Sequence, residues 1–439
     1  MLSDYSTIVA LGAIAAMLSL LALGIPVAIA LGVTGFVGLV LIGSWPLALA
    51  QMQSLPYSLT SDYAYAVIPC FVFMGNLAMN GGMARELYTA ADKWLGHLTG
   101  GQYLTTIAGS AGFAAASGST LANATVFTRL ALPEMMRLGY SKGMASACIA
   151  ASGTLAAMIP PSVAMVVYGI VTEQSIGKLM VAGIIPGIVS AVGYSVLVVG
   201  LVKLRPGLAP ETAERQSWRA RILGLRGTWA VALLFLVIMG GIYLGSFSPS
   251  AAGAVGAFGA LVILLLRRRL TWSLLVDAFC RSAVTTAMLF VIIMGGLLFS
   301  RMLVMSGVIT AGVEWVAEMQ LSPLVLVIAL SILYVLLGCL IDALSMLLVT
   351  LPFVFPLIQS AGIDPIWFGI LAIQFLEIGA ITPPVGLNLF ATLSAAEGKV
   401  TMEAITRGIL PFLLLNFVLL ALFIAVPELV LWLPGQMSR

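Results

Sequence analysis

The chain has 439 residues, 61% hydrophobic and 8% charged, with a mean hydropathy of +1.13. Soluble domains carry about 25% charged residues, so this is a polytopic membrane protein, and without short alternating strands it is all-α rather than a β-barrel. A net charge of +3 without a basic domain leaves no footprint for nucleic acid, and a lone histidine, His97, excludes a zinc site built on paired histidines.

In chain order, scaffold spans cover 6–60. The first apolar run, Ile8–Leu23, is preceded only by the charge of Asp4 and continues through Gly24-Ile25-Pro26 into a second, Pro26–Leu41. Lacking a basic leader, it reads as a retained helix with the N-terminus on the periplasmic side, not a cleaved signal. After a span at Val67–Leu77 comes a polar interfacial arm over 83–98, with Arg85, Lys93 and His97. The segment 103–138 is too long for a loop and is interrupted by Ala116-Ser117-Gly118-Ser119-Thr120. Its arms are short for full spans at about 1.5 Å per residue, which predicts a re-entrant helical hairpin. Arg129 interrupts one arm; about two turns from Arg137, it snorkels toward the cytoplasm. The helix over 142–172 is broken at Ile159-Pro160-Pro161-Ser162, because proline lacks the N–H a helix needs and clashes with the preceding turn.

This first unit, 1–202, is followed by a linker over 203–227. Lys203, Arg205, Arg215, Arg219, Arg221 and Arg226 stand there against Glu211 and Glu214, and Arg267-Arg268-Arg269 lie further on. Both basic stretches face the cytoplasm by the positive-inside bias. The second unit, 228–439, has scaffold spans over 228–300, an arm over 307–320 with Glu314 and Glu318, a hairpin over 321–360 and a helix over 365–396. That helix is broken at Thr382-Pro383-Pro384-Val385. Cys70, Cys148, Cys280 and Cys339 make no ligand spacing and read as small buried apolar residues.

The two units match in order. Met74-Gly75 recurs as Met294-Gly295, Gly118 as Gly338, Leu132-Pro133 as Leu351-Pro352, Pro160-Pro161 as Pro383-Pro384 and Pro186 as Pro411. The Leu-Pro register pairs Asn123 with Asp342. A nearly constant spacing marks a structural repeat. The basic arm belongs inside and the acidic arm outside, so the units are inverted about an axis in the membrane plane.

Two hairpin tips and two helix breaks therefore converge at one depth. Half-helix N-termini suit carboxylates, and C-termini with freed carbonyls suit Na⁺. Ser117, Ser119, Thr120, Asn123, Thr125, Ser152, Thr154, Ser162, Asp342, Ser345, Thr382 and Asn388 crowd there. Any one Ser or Thr also serves simply by bonding the preceding turn or a neighbouring helix. Asp342 stands apart, since an acid at membrane depth is costly and marks a cation or proton site. Glu377 either carries a proton or bonds free backbone near the second break.

SGSTLANATVFTRLALPEMMRLGYSKGMASACIAASGTLAAMIPPS, LPFVFPLIQSAGIDPIWFGI and EIGAITPPVGLNLF together resemble the large membrane subunit of the tripartite ATP-independent periplasmic (TRAP) transporters. The resemblance runs along essentially the whole chain. It implies an elevator-type, Na⁺-coupled secondary transporter of the bacterial inner membrane that takes up carboxylate-bearing solutes. Its partners would be a small four-helix membrane subunit and a periplasmic solute-binding protein; no such subunit precedes the first span, so it is expected as a separate chain. The resemblance further implies one Na⁺ site at Ser117, Ser119 and Asn123, with backbone near Ala156, Ile159 and Pro161. A second lies at Asp342, with backbone near Gly379 and Thr382. Gly118, Thr120, Ser162, Pro383 and Asn388 are the solute-binding candidates. Family members often have Gly at Ala156 and Asp at Asn123, which weakens the charge at the first site. The alternatives are a stand-alone Na⁺- or H⁺-coupled anion transporter of similar architecture and, in another class, an intramembrane enzyme. The enzyme is disfavoured because His97 is interfacial and only Asp342 is well placed for an aspartyl pair.

Overall fold

The computed structural model describes residues 2–210, 215–319, 321–338 and 341–437. Glu211 and Glu214 of the linker, Gln320 of the second arm and Cys339 and Leu340 of the second tip lie outside the described residues. No strand occurs among the described residues.

The first half holds α1 (Leu2–Ala22), α2 (Val27–Ile42), α3 (Trp45–Ser61), α4 (Val67–Asn80) and the short amphipathic α5 (Met83–Leu95). It continues with α6 (Gly101–Ser117), α7 (Thr120–Arg137), α8 (Lys142–Met158), α9 (Val163–Val171) and α10 (Ile176–Leu204). The linker carries α11 (Trp218–Leu225). The second half holds α12 (Trp229–Tyr243), α13 (Pro249–Leu266), the 35-residue α14 (Trp272–Ser306) and α15 (Val308–Glu318). Then follow α16 (Pro323–Gly338), α17 (Ala343–Ser360), α18 (Pro365–Ile381), α19 (Leu387–Ala395), α20 (Met402–Ala425) and α21 (Glu428–Gly435). Among the described residues, six helices are long and apolar enough to cross a membrane, or up to eight if each of two bent pairs forms one span. The expected all-α polytopic membrane class holds.

Short polar side chains start these helices. Ser44, Ser119, Ser162, Ser175, Ser217, Ser248, Thr271, Asp342, Asp364 and Thr401 each accept an amide from the first turn that follows, satisfying a donor that helix geometry leaves orphaned. The central helices of the two halves match in length. From α6 to α9 they have 17, 18, 17 and 9 residues; from α16 to α19, 16, 18, 17 and 9.

The structure also resets the register of the repeat. Ser119 and Asp342 occupy the same place, as caps of α7 and α17. At that spacing Pro133 matches Pro356 rather than Pro352, and the proline pairs match as well. Asn123, one turn into α7, is therefore not the counterpart of Asp342.

The halves interlock through their scaffold. In α2, a Cβ on Gly35 would lie 2.6 Å from the backbone nitrogen of Phe299 in α14, and Gly32 and Gly38 face Gly295 and Met302. In α13, Gly253 packs on Val67 and Cys70 of α4, and Gly256 on Met74. Close packing of small residues is what holds helices together in lipid, where hydrophobic burial gives no net drive between them. Gly35→Ala is expected to cost about 1–3 kcal/mol through overpacking and to lower the unfolding temperature in detergent. Gly12→Ala, whose Cβ meets nothing within 4 Å, should leave that temperature unchanged or slightly raised by helix propensity.

The linker is not a bare loop. Trp94 Nε1 of α5 donates to the Arg221 carbonyl of α11 at 3.1 Å, and the Arg221 guanidinium lies over Trp94 and Trp218. Glu86 of α5 pairs with Arg267 and Arg269 beyond α13, fastening the basic arm to the scaffold. Cys148 is buried as expected, but Cys70 is half-buried and Cys280 is exposed, so the expectation of burial fails for Cys280 on the outer face of α14.

Candidate functional site

Two residues, Gly118-Ser119, join α6 to α7. Gly118 has φ +59°, a left-handed conformation that a side chain strains, and a Cβ there would also sit 2.7 Å from the Pro161 carbonyl oxygen. Val163 N–H reaches the Gly118 carbonyl at 3.4 Å. The first tip thus lies directly on the first break. The second half repeats the arrangement by another contact: a Cβ on Gly338 would lie 2.8 Å from Gly379 Cα, and one on Gly379 would lie 2.7 Å from Gly338 Cα.

At each break the prolines deprive carbonyls of the helical donor four residues on. Pro160 and Pro161 cannot donate to Ala156 and Ala157, nor Pro383 and Pro384 to Gly379 and Ala380. Helix α8 closes with Ile159 N–H on the Leu155 carbonyl at 2.8 Å, and α18 with Thr382 N–H on the Gly379 carbonyl at 3.2 Å. The Pro160–Pro161 and Pro383–Pro384 bonds are both cis. Helices α8 and α9 meet at a bend of 41°.

Tips and breaks enclose a cavity of about 280 Å³. Its walls bring together four helix N-termini: α7 at Ser119 and Thr120, α9 at Val163, α17 at Asp342 and α19 at Leu387 and Asn388. They also bring together four C-terminal ends, those of α6 at Ser117, α8 at Ala157, α16 at Gly338 and α18 at Ala380. N-termini carry partial positive charge and C-termini partial negative charge, so the cavity offers places to both an anion and a cation.

Of the residues singled out from sequence, Ser117, Gly118, Ser119, Thr120, Asp342 and Asn388 line this cavity. The Ser117 hydroxyl is buried and has no partner in the protein. Ser119 caps α7 through the Ala122 amide at 3.4 Å. Asp342 caps α17, one oxygen accepting Ser345 N–H at 3.0 Å and the other the Ser345 hydroxyl. Ala156, Ile159, Pro161, Gly379, Thr382 and Pro383 form the breaks behind the cavity wall. Buried Ser162 caps α9 through the Met165 amide at 3.4 Å. Thr382 donates its hydroxyl back to the Ile378 carbonyl. Asn123 faces away from the cavity: its Nδ2 donates to the Ser110 carbonyl at 3.1 Å, bracing α7 against α6. Ser110 in turn donates to the Ser152 carbonyl of α8 at 2.8 Å.

Sequence reasoning missed the scaffold side of the cavity. Asn76 of α4 and Thr285 of α14 line it, and Asn76 Nδ2 donates to Ser282 Oγ at 2.8 Å. The signal was present, since Asn76 is an amide inside the apolar run VIPCFVFMGNLAMN.

The family described as "Tripartite ATP-independent periplasmic transporter, DctM component" matches residues 14–429. The C4-dicarboxylate TRAP transporter large permease protein DctM of Pseudomonas aeruginosa is 33% identical over 383 residues, 87% of this chain and 88% of that protein. The sialic acid TRAP transporter large permease protein SiaM of Vibrio cholerae is 31% identical, over 96% of this chain and 98% of its own length. The isethionate TRAP transporter permease protein DctMQ of Oleidesulfovibrio alaskensis is 30% identical, over 94% of this chain but 65% of that longer protein. Among solved structures, the YdaH transporter of Alcanivorax borkumensis superposes with a TM-score of 0.58 at 14% identity, over 88% of this chain and 89% of that one. That likeness concerns the fold alone.

Proposed function

We propose, because this chain belongs to the tripartite ATP-independent periplasmic transporter family as its large, DctM-type membrane component, that it carries out Na⁺-coupled secondary uptake of a small carboxylate-bearing solute. As a member of that family it is a transporter component and not an enzyme. Its solute would arrive on a periplasmic binding protein, and a small four-helix subunit, as a separate chain in the bacterial inner membrane, would complete the assembly. One observation carries the proposal: four helix N-termini and four C-terminal ends meet at a single cavity. N-termini stabilise a carboxylate, while C-termini and proline-freed carbonyls stabilise Na⁺. The relatives' named solutes, C4-dicarboxylate, isethionate and sialic acid, agree in being acids.

One Na⁺ would bind the free Ser117 hydroxyl and Ser119 with carbonyls near Ala156, Ile159 and Pro161, Asn123 bracing the hairpin behind them. A second would bind at Asp342, with carbonyls near Gly379 and Thr382. The solute would lie against Gly118, Thr120, Ser162, Pro383 and Asn388. Access would alternate by an elevator movement of hairpins and broken helices against the scaffold of α2, α4, α13 and α14.

Reconstitution with the small subunit tests this. Uptake into proteoliposomes is expected only with an inward Na⁺ gradient and the binding protein present. Uptake by this chain without a binding protein would replace the tripartite proposal with a stand-alone transporter, and uptake indifferent to Na⁺ would remove the coupling ion.

A further inference from the structure

The linker helix α11 turns an apolar face outward. Trp218 and Ile222 are 62% and 61% exposed, and Leu223 and Leu225 are exposed beside them. Trp218, Ile222 and Leu225 recur at helical spacing and so share one side of the helix. Arg219 and Arg226, both exposed, stand about two turns apart along the edge of that side. Trp229, at the start of α12, adds another exposed ring. A contiguous apolar patch rimmed by polar groups marks a surface that meets a partner.

The inner side of α11 is committed to α5. Gly224 sits against Lys93 and Ala90. The Trp94 and Trp218 rings meet edge to face, with centroids 6.0 Å apart. Arg221 is buried between them, its guanidinium over both rings and reaching His97 Nε2 at 3.2 Å. Rolling the apolar face inward would undo this clamp, so its cover must come from outside the chain.

Position and charge say what that cover is. Helix α11 meets the apolar α12 at a bend of 49°, so it turns aside where that helix reaches the edge of the bilayer. Trp218 and Trp229 flank the bend, and tryptophan concentrates at the membrane–water interface. Residues 203–227 carry six basic and two acidic side chains. Among the described residues, neither Arg219 nor Arg226 has a carboxylate partner. The acids of neighbouring α5 are taken: Glu86 by Arg267 and Arg269, and Asp92 by Gln102 Nε2 at 2.5 Å. An apolar side edged by unpaired guanidinium groups complements a leaflet of anionic lipid. Acyl chains cover the apolar side chains while the arginines extend to phosphates.

We propose that α11 docks on the membrane surface by binding anionic phospholipid, with Arg219 and Arg226 on the headgroups and Trp218, Ile222 and Leu225 in the acyl boundary. Through Trp94 and Arg221 the docked helix anchors α5, which packs on α6, the first arm of the hairpin that carries Ser117. The lipid surface thereby steadies the footing of the first tip.

Photo-crosslinking tests the contact without solute or Na⁺. The full chain is reconstituted in vesicles doped with headgroup-photoreactive phosphatidylglycerol or phosphatidylcholine, with and without the small subunit, and adducts are mapped by mass spectrometry. The peptide holding α11 should carry phosphatidylglycerol adducts in preference to phosphatidylcholine adducts. Arg219→Gln and Arg226→Gln should each lower that preference about fivefold. Absence of adducts on α11, equal labelling by the two lipids, or an unchanged preference in the double variant would each overturn the proposal. Loss of the adducts when the small subunit is present would overturn it in favour of a protein cover. Should the variants fail to fold, competition on the wild type decides: unlabelled phosphatidylglycerol should suppress the adducts, and suppression by phosphatidylcholine or by glycerol phosphate to the same extent would overturn the proposal.

Discussion

Asp342→Asn should abolish Na⁺-driven uptake at low Na⁺ while leaving the protein folded. Asn caps helices about as well as Asp, so α17 keeps its start at the second tip, where Asp342 now receives the Ser345 amide and hydroxyl. What is lost is the negative charge at the cavity wall. A charge-assisted contact is worth about 1.5–3 kcal/mol, which corresponds to roughly 10- to 150-fold in Na⁺ affinity. Uptake measured against Na⁺ concentration should therefore shift its midpoint upward by that factor, with an unfolding temperature near that of the wild type. An unchanged midpoint would take Asp342 out of the ion site. Ser119→Ala provides the contrast: it removes a cap worth about 1 kcal/mol from the equivalent helix start but no charge.

The second large effect is expected at the first tip. Gly118→Ala places a Cβ on a residue with φ +59° and 2.7 Å from the Pro161 carbonyl oxygen. The left-handed backbone alone costs a side chain about 1–2 kcal/mol, and overpacking adds about 1–3 kcal/mol. The tip cannot relieve the contact without lifting from the break, so uptake should be lost along with several degrees of thermal stability. Gly379→Ala meets only the overpacking term, against Gly338, because its backbone is ordinary helix. It should destabilise less. Equal unfolding temperatures for the two variants would show that the positive φ at Gly118 contributes nothing.

Much of this arrangement was legible in the sequence, because its causes are local. Two proline pairs must break their helices wherever they fall. The Ser and Asp residues that start α7, α9 and α17 carry their reason in the side chain. What the sequence left open depends on contacts between distant segments. Pro133 fits either Pro352 or Pro356 by eye, and only the caps at Ser119 and Asp342 decide the register. Asn123 looked like an ion ligand, yet its amide is spent on Ser110 in the opposite arm, a partner that spacing does not reveal. Asn76 and Thr285 belong to scaffold helices read as apolar spans, and their place on the cavity follows from how α4 and α14 pack. Helix α11 was hidden because its run is short and basic; it is held by Trp94 and Arg221 across the linker.

The crossed pairing of α2 with α14 and of α13 with α4 has a consequence for biosynthesis. When α2 leaves the ribosome, the segment carrying Phe299 has not yet been made, and Gly32, Gly35 and Gly38 must wait in the bilayer without their partner. Neither half can finish its own scaffold during synthesis, so insertion precedes assembly along much of the chain. Fragments divided in the linker and expressed together should reassemble, whereas either fragment alone should remain prone to degradation.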